Sequence, residues 1–254
     1  MCATCGCSGD TILEPHEHDH EHQHDHEHQH GHGHSRHSQT RTVTLEQAVL
    51  ARNDALAERN RKWLAERSIL AVNLMSSPGA GKTTLLERTI RELGSELRVS
   101  VVEGDQETVL DADRIRATGA PAIQINTGSG CHLDAKMLFS GLQTLDPPEG
   151  SVVLIENVGN LVCPALFDLG EQSRVVITSV TEGAEKPRKY PQMFRAADLV
   201  LLNKVDLLPY VKFDIEDFLD GARRANPDVE VLQLSATTGE GVADWYGWLR
   251  ARLP

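Results

Sequence analysis

Three of the five cysteines and eleven of the twelve histidines lie between residues 2 and 37. Cys2, Cys5 and Cys7 place three thiols within a few residues, so a flexible peptide can fold them around one ion. Thiolates with a nearby amine suit square-planar Ni(II) or Cu(II), whereas Zn would take a tetrahedral fourth ligand. From His16 to His34 every second residue is histidine, alternating with Glu, Asp, Gln or Gly, and His37 follows. Such a run offers many imidazole sites for Ni, Zn or Cu and has almost no apolar side chains for a packed core, so a disordered metal-binding tail over residues 1–42 is expected. A purification tag is seldom interleaved with acids or set behind a cysteine cluster. No apolar stretch precedes the cysteines, as a lipoprotein signal would require, and an odd cysteine count suits a disulfide framework poorly.

A second chemistry lies further along. Ser76-Ser77-Pro78-Gly79-Ala80-Gly81-Lys82-Thr83-Thr84 follows an apolar run and opens a helix expected over Thr83 to Leu93, the context of a phosphate-binding loop. Gly79, Ala80 and Gly81 let backbone N–H groups converge on phosphates, Lys82 can neutralise β- and γ-oxygens, and the Thr83 hydroxyl can reach Mg²⁺, with Thr84 completing the loop. Ser76 departs from the usual pattern by standing where its first glycine would be. Asn203-Lys204-Val205-Asp206 follows another apolar run. The Asp206 carboxylate can accept from guanine N1–H and its 2-amino group, which adenine cannot supply. Lys204 can lie along the base, Asn203 can brace the loop, and Ser235-Ala236-Thr237 sits at a further strand end. The nucleotide expected is therefore GTP.

Between these motifs lie the groups that should respond to the γ-phosphate. Asp105, closing Glu103-Gly104-Asp105, is the preferred Mg²⁺ or water-positioning carboxylate, and with Lys82 the expected catalytic pair. Glu156, opening Glu156-Asn157-Val158-Gly159 in the position of a D-x-x-G switch, is the second choice. No glutamine follows Gly159 to orient water, so slow intrinsic hydrolysis is expected. Cys131-His132 sits in a Gly-rich turn, and Cys163 comes shortly after the switch. A third thiol from Cys163 would give three metal ligands, or a site shared across a two-fold axis.

The elements that must position these groups form an α/β pattern. Thr44 with Gln47 resembles a capping box opening a helix whose apolar positions include Leu45, Ala48, Val49, Ala55, Leu56 and Trp63. Seven strands are then expected, at Ile69 to Met75, Val99 to Glu103, Ala122 to Asn126, Val152 to Glu156, Val175 to Ser179, Leu199 to Leu202 and Val229 to Leu234. Their alternation with helices implies a mainly parallel sheet covered by helices, one P-loop domain over residues 43–254. Asp146-Pro147-Pro148-Glu149-Gly150 reads as a turn. The net charge is −12, and the tail's seven acids against Arg36 and Arg41 leave −7 to the domain, which speaks against nonspecific nucleic-acid binding. No apolar run reaches membrane-spanning length and no secretory signal is present, so a reducing, cytoplasmic setting without a membrane partner is expected.

Taken together, Cys2-x-x-Cys5-Gly6-Cys7, the histidine run, the Ser76 to Thr84 loop, Glu103-Gly104-Asp105, Gly130-Cys131-His132-Leu133-Asp134, Glu156 to Pro164, Lys186-Pro187-Arg188-Lys189-Tyr190-Pro191 and Asn203 to Asp206 resemble the HypB family of hydrogenase maturation GTPases. The resemblance covers essentially the whole chain. It implies kinship with the dimerising metal-insertion and signal-recognition GTPases, a GTP-dependent homodimer, and delivery of nickel to the large-subunit precursor of [NiFe]-hydrogenase with a HypA-type nickel chaperone. It also implies a nickel site on Cys2, Cys5 and Cys7 and a second Ni or Zn site on Cys131, His132 and Cys163. The joint presence of cysteine motif and histidine run suggests delivery together with storage. The related urease GTPase also carries histidines and a phosphate loop, but the N-terminal cysteine motif speaks against it. Two functions follow from this reading: a GTP-hydrolysing metallochaperone, or a nickel store whose G domain serves mainly as a dimer switch. Retention of Lys82, Thr83 and Asp206 favours the first, since storage alone would not need them.

Overall fold

The computed structural model describes residues 36–105, 110–128 and 130–254. The expected metal ligands Cys2, Cys5 and Cys7 and the run His16 to His34 lie outside the described residues. The chain divides into two units, Met1–Val49 and Leu50–Pro254, and the second holds the sheet.

In chain order the elements are α1 (Arg36–Glu66), β1 (Leu70–Ser76), α2 (Lys82–Leu93), β2 (Val99–Asp105), α3 (Leu110–Arg116) and β3 (Ala122–Asn126). They continue with α4 (Ala135–Leu145), β4 (Val152–Glu156), α5 (Cys163–Leu166), β5 (Ser173–Ser179), α6 (Lys186–Lys189) and α7 (Pro191–Arg195). The last are β6 (Leu199–Asn203), α8 (Ile215–Ala225), β7 (Glu230–Gln233) and α9 (Val242–Arg250). All seven expected strands are present; Ala122–Asn126 and Val152–Glu156 have the expected bounds, and the other five differ by one or two residues at one or both ends. The sheet order is β3-β2-β4-β1-β5-β6-β7, and every pairing is parallel. All strand C-termini therefore point to one edge, where an open α/β sheet presents its ligand-binding loops.

Alternate residues of β1 serve opposite layers, as the period of a strand requires. Leu70, Val72 and Leu74 pack with Leu85, Leu86, Ile90 and Leu93 of α2 and with Trp245 and Leu249 of α9. Ala71 faces the other way, into a cluster with Leu64 of α1, Leu138 and Leu142 of α4, and Val153 and Ile155 of β4. Each buried leucine or isoleucine contributes about 1.5–3 kcal/mol relative to exposure, so the four on α2 hold the phosphate loop's helix firmly against β1.

Helix α1 departs from the sequence expectation in two respects. It starts at Arg36, with Thr44 and Gln47 already inside it, because the preceding residues from Arg36 to Val43 contain no Gly or Pro to stop it. Its buried stripe is Asn53, Ala57, Asn60 and Leu64, whereas Ala55 is exposed and Leu56 and Trp63 are half-buried. The helical period is as expected, but the face is half polar, because it meets backbone groups that need hydrogen-bond partners.

Candidate nucleotide and metal site

The loop from Ser76 to Gly81 joins β1 to α2, and Gly81 caps the helix in the left-handed conformation at φ 100°. The helix thus starts at Lys82 with its free N–H groups and positive dipole end at the loop, an anion-binding arrangement. Ser76 is fully buried. Its hydroxyl donates to Ser77 O at 2.6 Å and accepts from Lys82 Nζ at 2.7 Å, so the serine in the first glycine's place moors the lysine. Burial pushes the Lys82 ammonium below its ordinary range, while the negative charge of Glu156 opposes that shift. The Ser77 hydroxyl is bonded to Glu182, which also accepts from Ser179 N at 2.8 Å and pairs with Lys186 at 3.5 Å.

The loop opens on a cleft of ≈ 480 Å³ whose lining includes Gly79, Gly81, Lys82, Thr83, Thr84, Glu103, Asp105, Glu156, Gly159 and Lys204. Thr83 Oγ1 donates to Glu156 Oε1 at 2.8 Å, which brings the expected magnesium-binding hydroxyl beside the end of β4. Asp105 reaches the same cleft from β2. Glu103 and Glu156 are opposite one another in the β2–β4 register, and both are buried. Burial pushes Glu103 up to about 8, reinforced by the charge of Glu156, and pushes Glu156 up to about 6 against the attraction of Lys82.

The base-recognition loop closes the site from β6. Asn203 Nδ2 donates to Ala80 O at 2.9 Å, while Asn203 Oδ1 accepts from Lys204 N at 2.7 Å and Ala236 N at 3.0 Å. Lys204 Nζ donates to Gly79 O at 2.7 Å. Asn203 thus ties together the phosphate loop, its own loop and the Ser235-Ala236 turn, as its bracing role requires. Ser235 is fully buried and its hydroxyl accepts from Thr238 N at 3.0 Å, so its side chain shapes that turn.

Among the described residues, six buried side-chain polar atoms lack a hydrogen-bond partner, and Glu103 Oε2, Glu156 Oε2 and Asp206 Oδ1 are three of them. Unpaired buried acceptors are costly unless a ligand completes them. Glu156 beside Thr83, with Asp105 in the same cleft, suits Mg²⁺, which takes oxygen ligands together with phosphate oxygens. A carboxylate at Asp206 suits the donor edge of guanine, so the residues fit Mg²⁺ and GTP.

The cysteine-histidine cluster forms beside this cleft. Cys131 Sγ lies 2.8 Å from Cys163 Sγ and 3.7 Å from His132 Nδ1, and the ligand atoms of all three residues fall within 4.8 Å of one another. A tetrahedral zinc-type ion would hold two sulfurs about 3.8 Å apart, so the thiols must part by about 1 Å to admit one. His132 stacks on Phe167 with ring centroids 3.9 Å apart, and burial lowers the proton affinity of its ring. The sheet order explains the convergence. Cys131 follows β3 and Cys163 follows β4, while β2 runs between those strands. The Cys131 loop crosses the end of β2, where a Cβ on Gly104 would lie 2.6 Å from Leu133 Cγ, so the middle residue of Glu103-Gly104-Asp105 has to be glycine.

Several contributors carried no role in the sequence reading. Glu103 was visible as a charge ending the apolar run Val99-Ser100-Val101-Val102, a pattern that marks a buried carboxylate. Asn73, the lone amide in the buried strand Leu70–Ser76, gave a similar signal. Asn157 Nδ2 donates to Asn73 Oδ1 at 3.3 Å, while Asn157 Oδ1 accepts from Leu133 N at 3.1 Å and Val158 N at 3.0 Å. Arg114 lines the cleft, bonded to Glu87 at 2.9 Å and Thr84 Oγ1 at 3.3 Å, and nothing in its spacing announced it.

A glycine-rich loop between the central strand and its helix, in an all-parallel sheet covered by helices, defines a P-loop nucleotide-binding protein. Residues 70–233 match the nucleotide-binding domain family described as CobW/HypB/UreG. The chain is 57% identical over 211 residues to hydrogenase maturation factor HypB of Azotobacter vinelandii, covering 83% of this chain and 70% of that protein. It is 55% identical over 214 residues to HypB of Escherichia coli K12, covering 84% and 74%. Among solved structures, HypB from Archaeoglobus fulgidus superposes with a TM-score of 0.75 at 44% identity, covering 81% of this chain and all of that one. HypB from Helicobacter pylori in complex with nickel gives 0.74 at 35% identity, covering 79% and 94%. The chain belongs to the HypB family of hydrogenase maturation factors, P-loop GTPases of the CobW/HypB/UreG group.

Proposed function

We propose that this protein is a GTP-hydrolysing nickel metallochaperone that delivers nickel to the large-subunit precursor of [NiFe]-hydrogenase in the cytoplasm. In this reading residues 43–254 are the GTPase domain, and residues 1–42 bind nickel through Cys2, Cys5 and Cys7 and store it on the histidine run. Cys131, His132 and Cys163 form an inner site for Ni²⁺ or Zn²⁺. A HypA-type chaperone and a GTP-dependent homodimer are its partners. No helix among the described residues is long and apolar enough to cross a membrane.

The observation that carries the reading is the placement of Asn157. Its neighbours Val158 and Gly159 line the nucleotide cleft, while its side chain accepts the N–H of Leu133, one residue from His132. A displacement of about 1 Å at this joint exceeds the few-tenths tolerance of metal-ligand distances. Lys82 and the backbone of Gly79 to Thr84 bind and orient the phosphates, Thr83, Asp105 and Glu156 hold the cation, and Asp206 selects guanine. Mg²⁺ bound there supplies charge neutralisation at the phosphoryl oxygens. No glutamine follows Gly159 to orient water, so slow turnover by the isolated chain is expected.

Nickel titration of the full chain with GDP and with a non-hydrolysable GTP analogue tests the proposal. Different nickel affinities in the two states are expected, and linkage requires nickel to shift nucleotide preference by the same factor. Equal affinities in both states would favour a nickel store whose G domain acts only as a dimer switch.

A further inference from the structure

The two segments that follow the inner-site ligands are stitched together by α1. Asn53 Oδ1 accepts from Ala135 N at 3.0 Å, and Asn53 Nδ2 donates to Asp168 O at 2.7 Å. Two turns further on, Asn60 Nδ2 donates both to Ala135 O at 2.7 Å and to Leu169 O at 2.8 Å. Ala135 lies just beyond the Cys131-His132-Leu133-Asp134 loop, and both of its backbone groups are held by α1. Asp168 and Leu169 lie just beyond Phe167, on which His132 stacks. Arg61 adds two bonds to the Asp168 carboxylate, at 3.0 and 2.8 Å.

The approach is close. A Cβ on Gly170 would lie 2.3 Å from Ala57 O and 2.7 Å from Asn60 Cβ, so glycine is needed for the helix to seat on this loop. Asn53 and Asn60 are 6% and 1% exposed, and a leucine at either place would fill the groove while stripping buried carbonyls of their donors. Two asparagines in a buried helical stripe are poor choices for core packing alone. They are well chosen for holding backbone atoms of two separate loops in fixed register.

We propose that α1 is the clamp of the inner metal site, with Asn53 and Asn60 as positioning residues that set the separation of Cys131 and Cys163. This rests on the reading of Cys131, His132 and Cys163 as metal ligands. The bonds of Asn53 and Asn60 go to backbone atoms of Ala135, Asp168 and Leu169, none of them a metal ligand. The clamp acts through the backbone that follows each ligand, in the way outer-shell partners hold a coordination sphere. It also follows that any event which shifts α1 changes inner-site affinity.

The test uses the full chain with Cys2, Cys5 and Cys7 replaced by serine, so that thiolate-to-Co(II) charge-transfer absorption reports only Cys131 and Cys163. Asn60→Ala should weaken Co(II) binding about tenfold or more and shift the band, while the affinity for a fluorescent guanosine triphosphate analogue stays unchanged. Arg61→Gln, at a partly exposed position, should produce a smaller shift in the same direction without a buried gap. Asn226→Ala is the control, because it loses comparable bonds, to Ala197 O at 2.9 Å and Phe194 O at 3.5 Å, that involve neither α1 nor the two segments it holds. Cobalt affinity and spectrum equal to the parent in both α1 variants would overturn the clamp, as would an equal loss in Asn226→Ala. Absence of any thiolate band in the parent would instead overturn the metal-site reading beneath it.

Discussion

Glu103 makes the stability of the nucleotide-free protein depend on pH with an unusual sign. Its carboxyl is buried opposite Glu156, with one oxygen unpaired, and its proton is held up to about 8. In the unfolded chain the same group ionises near 4.5, so between those values the folded state binds one proton more than the unfolded state. A raised folded pKa gives stabilisation that is complete below the unfolded pKa and lost as pH rises toward and through the folded pKa. The slope is about 1.4 kcal/mol per pH unit, and about 2–4 °C of Tm accompanies each kcal/mol in a domain of this size. Calorimetry in EDTA should therefore show Tm falling by about 3–5 °C per unit between pH 6.5 and 8. Glu156, at about 6, acts in the same direction but mostly below this window. His132, lowered by burial, acts in the opposite sense at lower pH and is neutral here. Glu103→Gln should flatten the slope and raise Tm at pH 8, and excess Mg²⁺ with a GTP analogue should flatten it in the parent. A Tm that is level or rising from pH 6.5 to 8 without metal, or a slope unchanged in Glu103→Gln, would refute the protonated-carboxyl account.

Other outcomes follow from the same geometry. Asp206→Asn turns an acceptor facing the guanine donors into a donor, and GTP binding should weaken by about 2–4 kcal/mol; isothermal calorimetry showing no change would remove the loop from base recognition. Deleting His16 to His37 should lower the number of nickel ions bound per chain while leaving tight binding at Cys2, Cys5 and Cys7, and equilibrium dialysis showing loss of the tight class would join the two ligand sets into one. Cys163→Ala should reduce the dependence of inner-site metal affinity on nucleotide state while sparing GTP affinity, since Cys163 is not one of the residues lining the nucleotide cleft; retained coupling in paired titrations would place the sensor elsewhere.

The strands and the phosphate loop were legible because their signals are local. A buried parallel strand is a continuous apolar run, and Gly79-Ala80-Gly81-Lys82 needs only its preceding strand and following helix to be recognised. Cys131, His132 and Cys163 could be grouped from residue type, and the structure brings them within one ligand cluster. The face of α1 could not be read in this way. Periodicity assigns apolar residues to the core, so Ala55 and Leu56 were favoured over Asn53 and Asn60. The asparagines are buried because the surfaces they meet, at Ala135, Asp168 and Leu169, are bare backbone brought together from two distant loops. A polar residue matched to a tertiary backbone contact leaves no trace in its own helix's pattern.

Strand order links the nucleotide cleft to the cluster more tightly than proximity does. Because β2 lies between β3 and β4, a ligand loop from β3 can meet one from β4 only by crossing the end of β2, which is also where Asp105 enters the cleft. Gly104 permits that crossing, and Leu133 occupies the space its missing side chain leaves. The backbone N–H of Leu133 is in turn held by Asn157, the residue between Glu156 and the Val158-Gly159 segment lining the cleft. Any rearrangement of that segment must stretch the Asn157 to Leu133 bond or carry Leu133 with it. Leu133 is adjacent to His132, and packing over Gly104 leaves little slack to absorb the movement. Under the proposed function, one short chain of contacts, Gly159 through Asn157 to Leu133 and His132, would give metal and nucleotide a mechanical route by which each could bias the other.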